Sequence, residues 1–236
     1  AVMGKLNSTI KLSGNLTDYL TPDLKTISGN LIGQLLDSKL SPANSPLLAS
    51  LSSNIKFLDL EKLNLDKLKM ILSFKDGKVQ IDPFTLKYQD INIEVAGSHG
   101  FDQSMAYNLK FDVPVKYLGT DVNNLLTKLT PADAAKIKNF PVNAVLMGTF
   151  TNPKVSTDLQ QATTHVVTQL VDMQKGKLIN QATEALGNLI PGKTKVDTAK
   201  IKTVDSIKTT TPKVPLDKVK DSIVKNALKD LFKKKQ

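Results

Sequence analysis

The chain has 236 residues, 40% of them hydrophobic, which is enough to bury a core and too many for wholesale disorder. Cysteine is absent, excluding disulfides, thiolate metal sites and cysteine nucleophiles. The net charge is +10, and residues 191–236 hold 13 Lys against 5 Asp, so a basic tail follows a nearly neutral body.

The N-terminus, "AVMGKLNSTIKLSG", has no n-region or h-region and opens directly in strand-like alternation, which reads as a part of a longer protein. Along residues 4–16, Leu6, Ile10, Leu12 and Leu16 share one face, with Lys5, Asn7, Thr9 and Lys11 on the other. Residues 27–36 form a second strand, weakened by Gly29 and Gly33. The turn-rich "SPANSP" introduces a short helix near 45–55. "FLDLEKLNLDKL" (57–68) fits either helix or strand, with strand favoured at its end.

The next stretch fixes a register. Asp76-Gly77 is a two-residue turn signal, because a type I′ turn needs positive φ at both central positions. Folding about it sets Lys75 opposite Lys78, Phe74 opposite Val79, Ser73 opposite Gln80 and Leu72 opposite Ile81. Leu72, Phe74, Val79 and Ile81 then share a dry face. Asp82-Pro83 shifts the parity, after which Phe84, Leu86 and Tyr88, then Ile91, Ile93 and Val95, alternate with polar residues. "GSHGFDQS" reads as a turn containing His99. The longest alternation follows: Met105, Tyr107, Leu109, Phe111, Val113 and Val115. Short helices are expected at 118–139 and one more strand at 141–150, with the sheet ending at "TNPKV".

Residues 1–156 thus read as a curled antiparallel β domain with one solvated face, either an open groove or taco-like. The fold class is mainly β with C-terminal α. A helical period, Leu159, Thr163, Val166, Leu170 and Met173, marks an amphipathic segment at 157–190, with Ser156 and Thr157 as N-caps and Gly176 as a break. Residues 191–215 form a Lys/Thr/Pro-rich linker, extended or disordered, and 216–236 a basic amphipathic helix. Its membrane- or partner-facing candidates are Leu216, Val219, Lys220, Ile223, Lys225, Leu228, Lys229, Leu231 and Phe232.

Chemistry is thin. His99 and His165 lie in no motif that marks a base or ligand, and there is no Gly-rich phosphate loop, nucleophile elbow or clustered metal spacing. The reading is not an enzyme and needs no cofactor. The chain lacks Arg and is only 5% aromatic, so no base reader or stacking platform is visible, which argues against nucleic acid. The apolar sheet face carries the most information. Three coverings are open, the sheet curling on itself, the C-terminal helices packing across, or an acyl chain in the groove, and ordinary self-coverage comes first. The groove candidates are Leu72, Phe74, Val79, Ile81, Phe84, Leu86, Tyr107, Leu109, Phe111 and Val113, each worth about 1.5–3 kcal/mol when buried.

The order of motifs resembles the C-terminal region of AsmA-like proteins of Bacteroidetes type. "STIKLSGNLTDYLTPDLKTISGNLIGQLL" is similar to a family strand followed by "P-D-L" and a "G-x-L" strand. "FKDGKVQIDPFTLKYQDINIEVAGSHGFDQSMAYNLKFDVPVKYLG" resembles the family's DG hairpin, "P-F" strand, glycine turn and "VP…LG" ending. "VLMGTFTNPKVSTDL" resembles its closing element, and the likeness covers about residues 4–158. It implies a periplasmic cell-envelope protein of a Gram-negative bacterium, membrane-anchored in full-length members. By this resemblance it is related to TamB and bridge-like lipid transfer proteins and tied to outer-membrane biogenesis and phospholipid handling. The family offers no catalytic residues. The alternative is a non-enzymatic scaffolding module that binds an envelope partner or membrane surface through its basic helices.

Overall fold

Asp76 and Gly77 hold φ of 51° and 72°, closing the hairpin turn that the DG pair predicts. The register it sets is the expected one, with Leu72 facing Ile81 and Phe74 facing Val79. In a computed structural model, residues 2–55, 57–189 and 216–232 are described, with side chains except at 44, 182–189, 216, 217 and 232. The linker expected at 191–215 therefore lies outside the described residues.

Eight strands form one open antiparallel sheet, each beside its sequence neighbour. They are β1 (Val2–Ser13), β2 (Ser28–Leu40), β3 (Lys69–Lys75), β4 (Lys78–Tyr88), β5 (Ile91–Gly100), β6 (Ser104–Pro114), β7 (Asn139–Thr149) and β8 (Pro153–Thr157). Helices α1 (Pro46–Asn54), α2 (Thr120–Thr127) and α3 (Pro131–Lys136) interrupt it, and α4 (Leu159–Leu189) and α5 (Leu216–Phe232) follow it. The class is mainly β with C-terminal α.

Cross-strand register carries single rows of side chains across the sheet. One row runs Ile10, Leu31, Leu72, Ile81, Gly97, Tyr107, Leu146 and Val155. All eight strands therefore turn the same apolar alternation to one inner face. In β4 the pairing steps from Ile81–Gly97 to Phe84–Val95, so Asp82 and Pro83 form a bulge against Ala96. That bulge is the parity shift expected at Asp82-Pro83, and it keeps Ile81 and Phe84 on the same face.

The 41–68 connection decides where the core lies. It leaves β2, carries α1 across to pack on β8, and returns to β3. On the way Phe57 sets its ring edge against Phe111 of β6, with centroids 5.6 Å apart and planes at 85°. Ile55, Leu58, Leu60, Leu63 and Leu65 are buried in the same segment. The strand favoured at the end of 57–68 does not form. These residues instead make a 3-10 turn, Leu60–Lys62, capped by Asp59, and loops that roof the inner face. The apolar spacing there serves packing from above rather than pairing at an edge.

Three further expectations are corrected. The stretch "TNPKV" does more than close the sheet, because Pro153–Thr157 pairs with β7 as a short strand beyond the one expected at 141–150. Gly176 does not break α4, which runs continuously to Leu189 after Thr157 Oγ1 accepts the Leu159 N–H at 3.1 Å. His99 is not in a turn but in β5, opposite Met105.

Candidate functional site

The inner face divides into a roofed half and an open half. Over β5–β7 the side chains are sealed: Ile93, Phe111, Val113 and Val142 are fully buried. Over β1–β3 they are not. Leu6, Ile10 and Leu12 of β1 are each about half exposed, at 50%, 51% and 49%. Leu31 of β2 and Met70, Leu72 and Phe74 of β3 are half-buried beside them. Gly29 and Gly33 of β2 sit between these rows, and the Leu6 and Leu31 side chains lean over Gly33. The outcome is an apolar strip three strands wide, with a glycine-lowered floor, continuous with the core.

At the hairpin end the strip meets a cleft of about 620 Å³ lined by Leu24, Lys25, Asp76, Gly77, Lys78, Gly100, Phe101, Asp102 and Ser104. Phe101 lies nearly parallel to Phe74, with centroids 6.4 Å apart and planes at 11°. Its N–H donates to the Gly77 carbonyl at 3.0 Å, so the β5–β6 turn is tied to the hairpin tip. Asp102 accepts from the Ser104 hydroxyl at 2.6 Å and from its N–H at 3.0 Å. These bonds, helped by the charge of Lys78, hold its carboxyl below the usual range. The cleft thus has an apolar wall and a rim carrying charges of both signs.

One polar pair sits on the inner face itself. His99 Nδ1 lies 2.6 Å from the Tyr107 hydroxyl, and its ring meets the edge of Phe150 with centroids 5.3 Å apart. Burial lowers the His99 pKa and pushes Tyr107 up to about 12, so near neutrality both groups are uncharged and satisfy each other. Tyr107 packs over Gly97, where φ is 153° and a Cβ would come within 2.7 Å of the ring. His99 continues the alternation Ile91, Ile93, Val95, Gly97, so that period extended by two residues was the signal for its placement.

The structure separates the groove candidates. Leu72 and Phe74 border the open strip, and Phe84 is half-buried on β4. Ile81 and Leu86 pack against the core, and Val79 is buried at 3% exposure. Tyr107, Leu109, Phe111 and Val113 are buried on β6, the strand against which Phe57 of the 41–68 segment packs, so they form core rather than groove. Sequence reasoning named Leu6, Ile10 and Leu12 as one face but did not include them in the groove. Leu24 and Phe101 were missed, being single apolar residues inside turns.

The basic helix is also placed differently. Ala227 and Leu231 of α5 are buried, and Ile223 and Leu228 pack on the core. Asn226 Nδ2 donates to Asp121 at 2.8 Å, and Lys220 pairs with Asp172 of α4 at 3.2 Å. The expected membrane- or partner-facing stripe is thus turned against α2, α4 and the 115–118 turn. Val219, Lys225 and Lys229 remain exposed. The side chains of Leu216 and Phe232 lie outside those described. Among the described residues no three His, Asp or Glu side chains cluster as metal ligands, and no helix is long and apolar enough to cross a membrane.

The chain matches no family model, no curated protein and no solved structure.

Proposed function

We propose that this chain is a lipid-handling cell-envelope domain, AsmA-like in kind and non-enzymatic, that holds acyl chains on the open half of its sheet. The carrying observation is an apolar strip lying in register on one face, in which Leu6, Ile10 and Leu12 are about half exposed beside the half-buried Leu31, Leu72 and Phe74. Water against so many aligned apolar side chains is unfavourable, at roughly 25 cal/mol for each Å² left wet, and a flexible hydrocarbon fits a long shallow floor. The cleft at the strip's end, with Lys25 and Lys78 beside Asp76 and Asp102, suits a polar headgroup of mixed charge. The motif order over residues 4–158 supports a periplasmic setting in a Gram-negative envelope and a part in outer-membrane biogenesis. The scaffolding reading is less favoured, because α5 spends its apolar face on its own domain.

A phospholipid with a photoreactive diazirine in its acyl chain tests this reading. Cross-links should map to peptides of β1, β2 and β3. Labelling absent from those strands, or confined to α4 and α5, would sink it.

A further inference from the structure

We infer that the turn between β1 and β2 is a membrane-docking tip, which sets Tyr19 and Leu20 into the headgroup layer of a zwitterionic bilayer. They are the two most exposed large apolar side chains among the described residues, at 90% and 77%, and they are adjacent. The turn around them is built rather than loose. Leu16 bridges Pro22, the Thr17 N–H donates to the Thr21 carbonyl at 2.8 Å, and the Leu20 N–H donates to the Thr17 carbonyl at 2.9 Å. The Thr17 and Thr21 hydroxyls meet at 2.7 Å. A three-residue loop of this kind, 18–20, commonly ends on a residue in the left-handed region, a place for Gly or Asn. Leu20 holds that place at φ 58°, where a leucine is strained. Packing gives nothing back for the strain, since the residue lies mostly in solvent. A strained backbone that presents an apolar pair to water has its reason outside the fold.

Topology gives the tip a rim to stand on. In the meander the turns β1–β2, β3–β4, β5–β6 and β7–β8 share one end of the sheet, while the 41–68 segment, α2, α3 and α4 leave from the other. A Cβ on Gly77 would lie 3.6 Å from the Lys25 Cα, so the β1–β2 turn rests on the hairpin tip to which Phe101 is bonded. Tyr19 and Leu20 lie beyond the last β1–β2 pair, Ser13 and Ser28, so their exposure belongs to the end of the sheet and not to the edge along β1.

The chemistry of the rim selects the partner. Its four turns, 14–27, 75–78, 100–104 and 149–153, carry Lys25, Lys75 and Lys78 against Asp18, Asp23, Asp76 and Asp102, so the rim is close to neutral. Such a rim does not draw in a nucleic acid or a strongly anionic surface, although the whole chain stands at +10. It matches a layer whose own phosphate and ammonium groups are balanced. A protein interface buries about 800 Å² per partner with complementary shape, which two projecting side chains cannot supply. A fluid bilayer asks for no such match, and Tyr beside Leu suits its boundary, with the ring body towards hydrocarbon and the hydroxyl among headgroups. The cleft lined by Leu24, Lys25 and Phe101 opens at this same rim, so docking brings the end of the apolar strip to the lipid. Choosing a bilayer rests in part on the lipid reading of that strip.

The chain has no Trp, so Tyr19→Trp supplies a single probe at the tip of the full chain. With vesicles of phosphatidylcholine and phosphatidylethanolamine, its emission should shift to the blue and be quenched by lipid brominated in the upper acyl chain. In flotation with the same vesicles, Leu20→Asn and Tyr19→Ser should each lower the partition coefficient about tenfold. Leu178→Asn, a change at an exposed leucine of α4, should leave it unaltered. Asn accepts positive φ better than Leu, so Leu20→Asn should unfold in urea no earlier than the unmodified chain. An unmodified chain that does not float, an unshifted Trp emission, or equal flotation of Leu20→Asn would overturn the proposal. An earlier urea midpoint for Leu20→Asn would do so by giving Leu20 a structural role, and flotation lost in high salt by assigning the binding to lysines. A chain that floats through its tip yet shows no lipid adduct in native mass spectrometry overturns only the lipid reading. One that carries lipid while Leu20→Asn floats unchanged overturns only the docking tip.

Discussion

Phe111 and Ile10 share one face of one sheet and differ in what lies above them. Phe111 is fully buried with the Phe57 ring against it, while Ile10 is 51% exposed. Replacing Phe111 by Ala removes a large side chain from a closed site and should lower unfolding free energy by about 3–5 kcal/mol. Ile10→Ala should change it by less than about 1 kcal/mol, since little is packed over it. Urea titration of both variants checks the contrast, and equal losses would mean the roof does not divide the face as described. His99 adds a pH dependence at the same scale. Its folded pKa lies below its unfolded value, so near pH 7 the native state keeps a neutral ring at no charge penalty. As pH falls below about 6.5, the unfolded chain takes up the proton first and the native state is penalised. The urea midpoint should therefore drop between about pH 7 and pH 5, and His99→Gln should flatten that drop. An unchanged slope in the variant would assign the acid sensitivity to other groups.

At the scale of elements, the hairpins were legible and the coverings were not. Strand alternation is a local property, so Asp76-Gly77 was enough to derive every pair from Lys75–Lys78 to Leu72–Ile81. The bulge at Asp82-Pro83 was legible for the same reason, as a break in period. The 57–68 segment was not, because Phe57, Leu58, Leu60, Leu63 and Leu65 are spaced to meet a sheet that lies far away in sequence. A local period cannot encode that partner. The same limit applies to α5: its apolar stripe showed that something covers it, and only tertiary contact identified α2, α4 and the 115–118 turn. Since Leu231 is buried at 3% exposure, Leu231→Ala should cost about 2–5 kcal/mol by thermal or chemical unfolding. Near-zero change would mean that α5 is free of the domain and available to a membrane or partner.

Across the whole molecule, one insertion and the first C-terminal helix turn an eight-strand sheet into a half-filled trough. The 41–68 segment packs on β6 and β8 and α4 on β7, while Leu6, Ile10 and Leu12 of β1 keep the same alternation and stay about half exposed. Ordinary self-coverage was the expected solution for a face of this kind, and it accounts for Tyr107, Leu109, Phe111 and Val113. It does not account for Leu6, Ile10 and Leu12. The most direct test compares two isoleucines that lie on adjacent strands and opposite faces, both about half exposed: Ile10 at 51% on the inner face and Ile32 at 57% on the outer. Native mass spectrometry after incubation with phospholipid should show lipid bound to the unmodified chain and to Ile32→Glu, with that adduct lost from Ile10→Glu. No lipid on the unmodified chain, or equal lipid on both variants, would contradict the account.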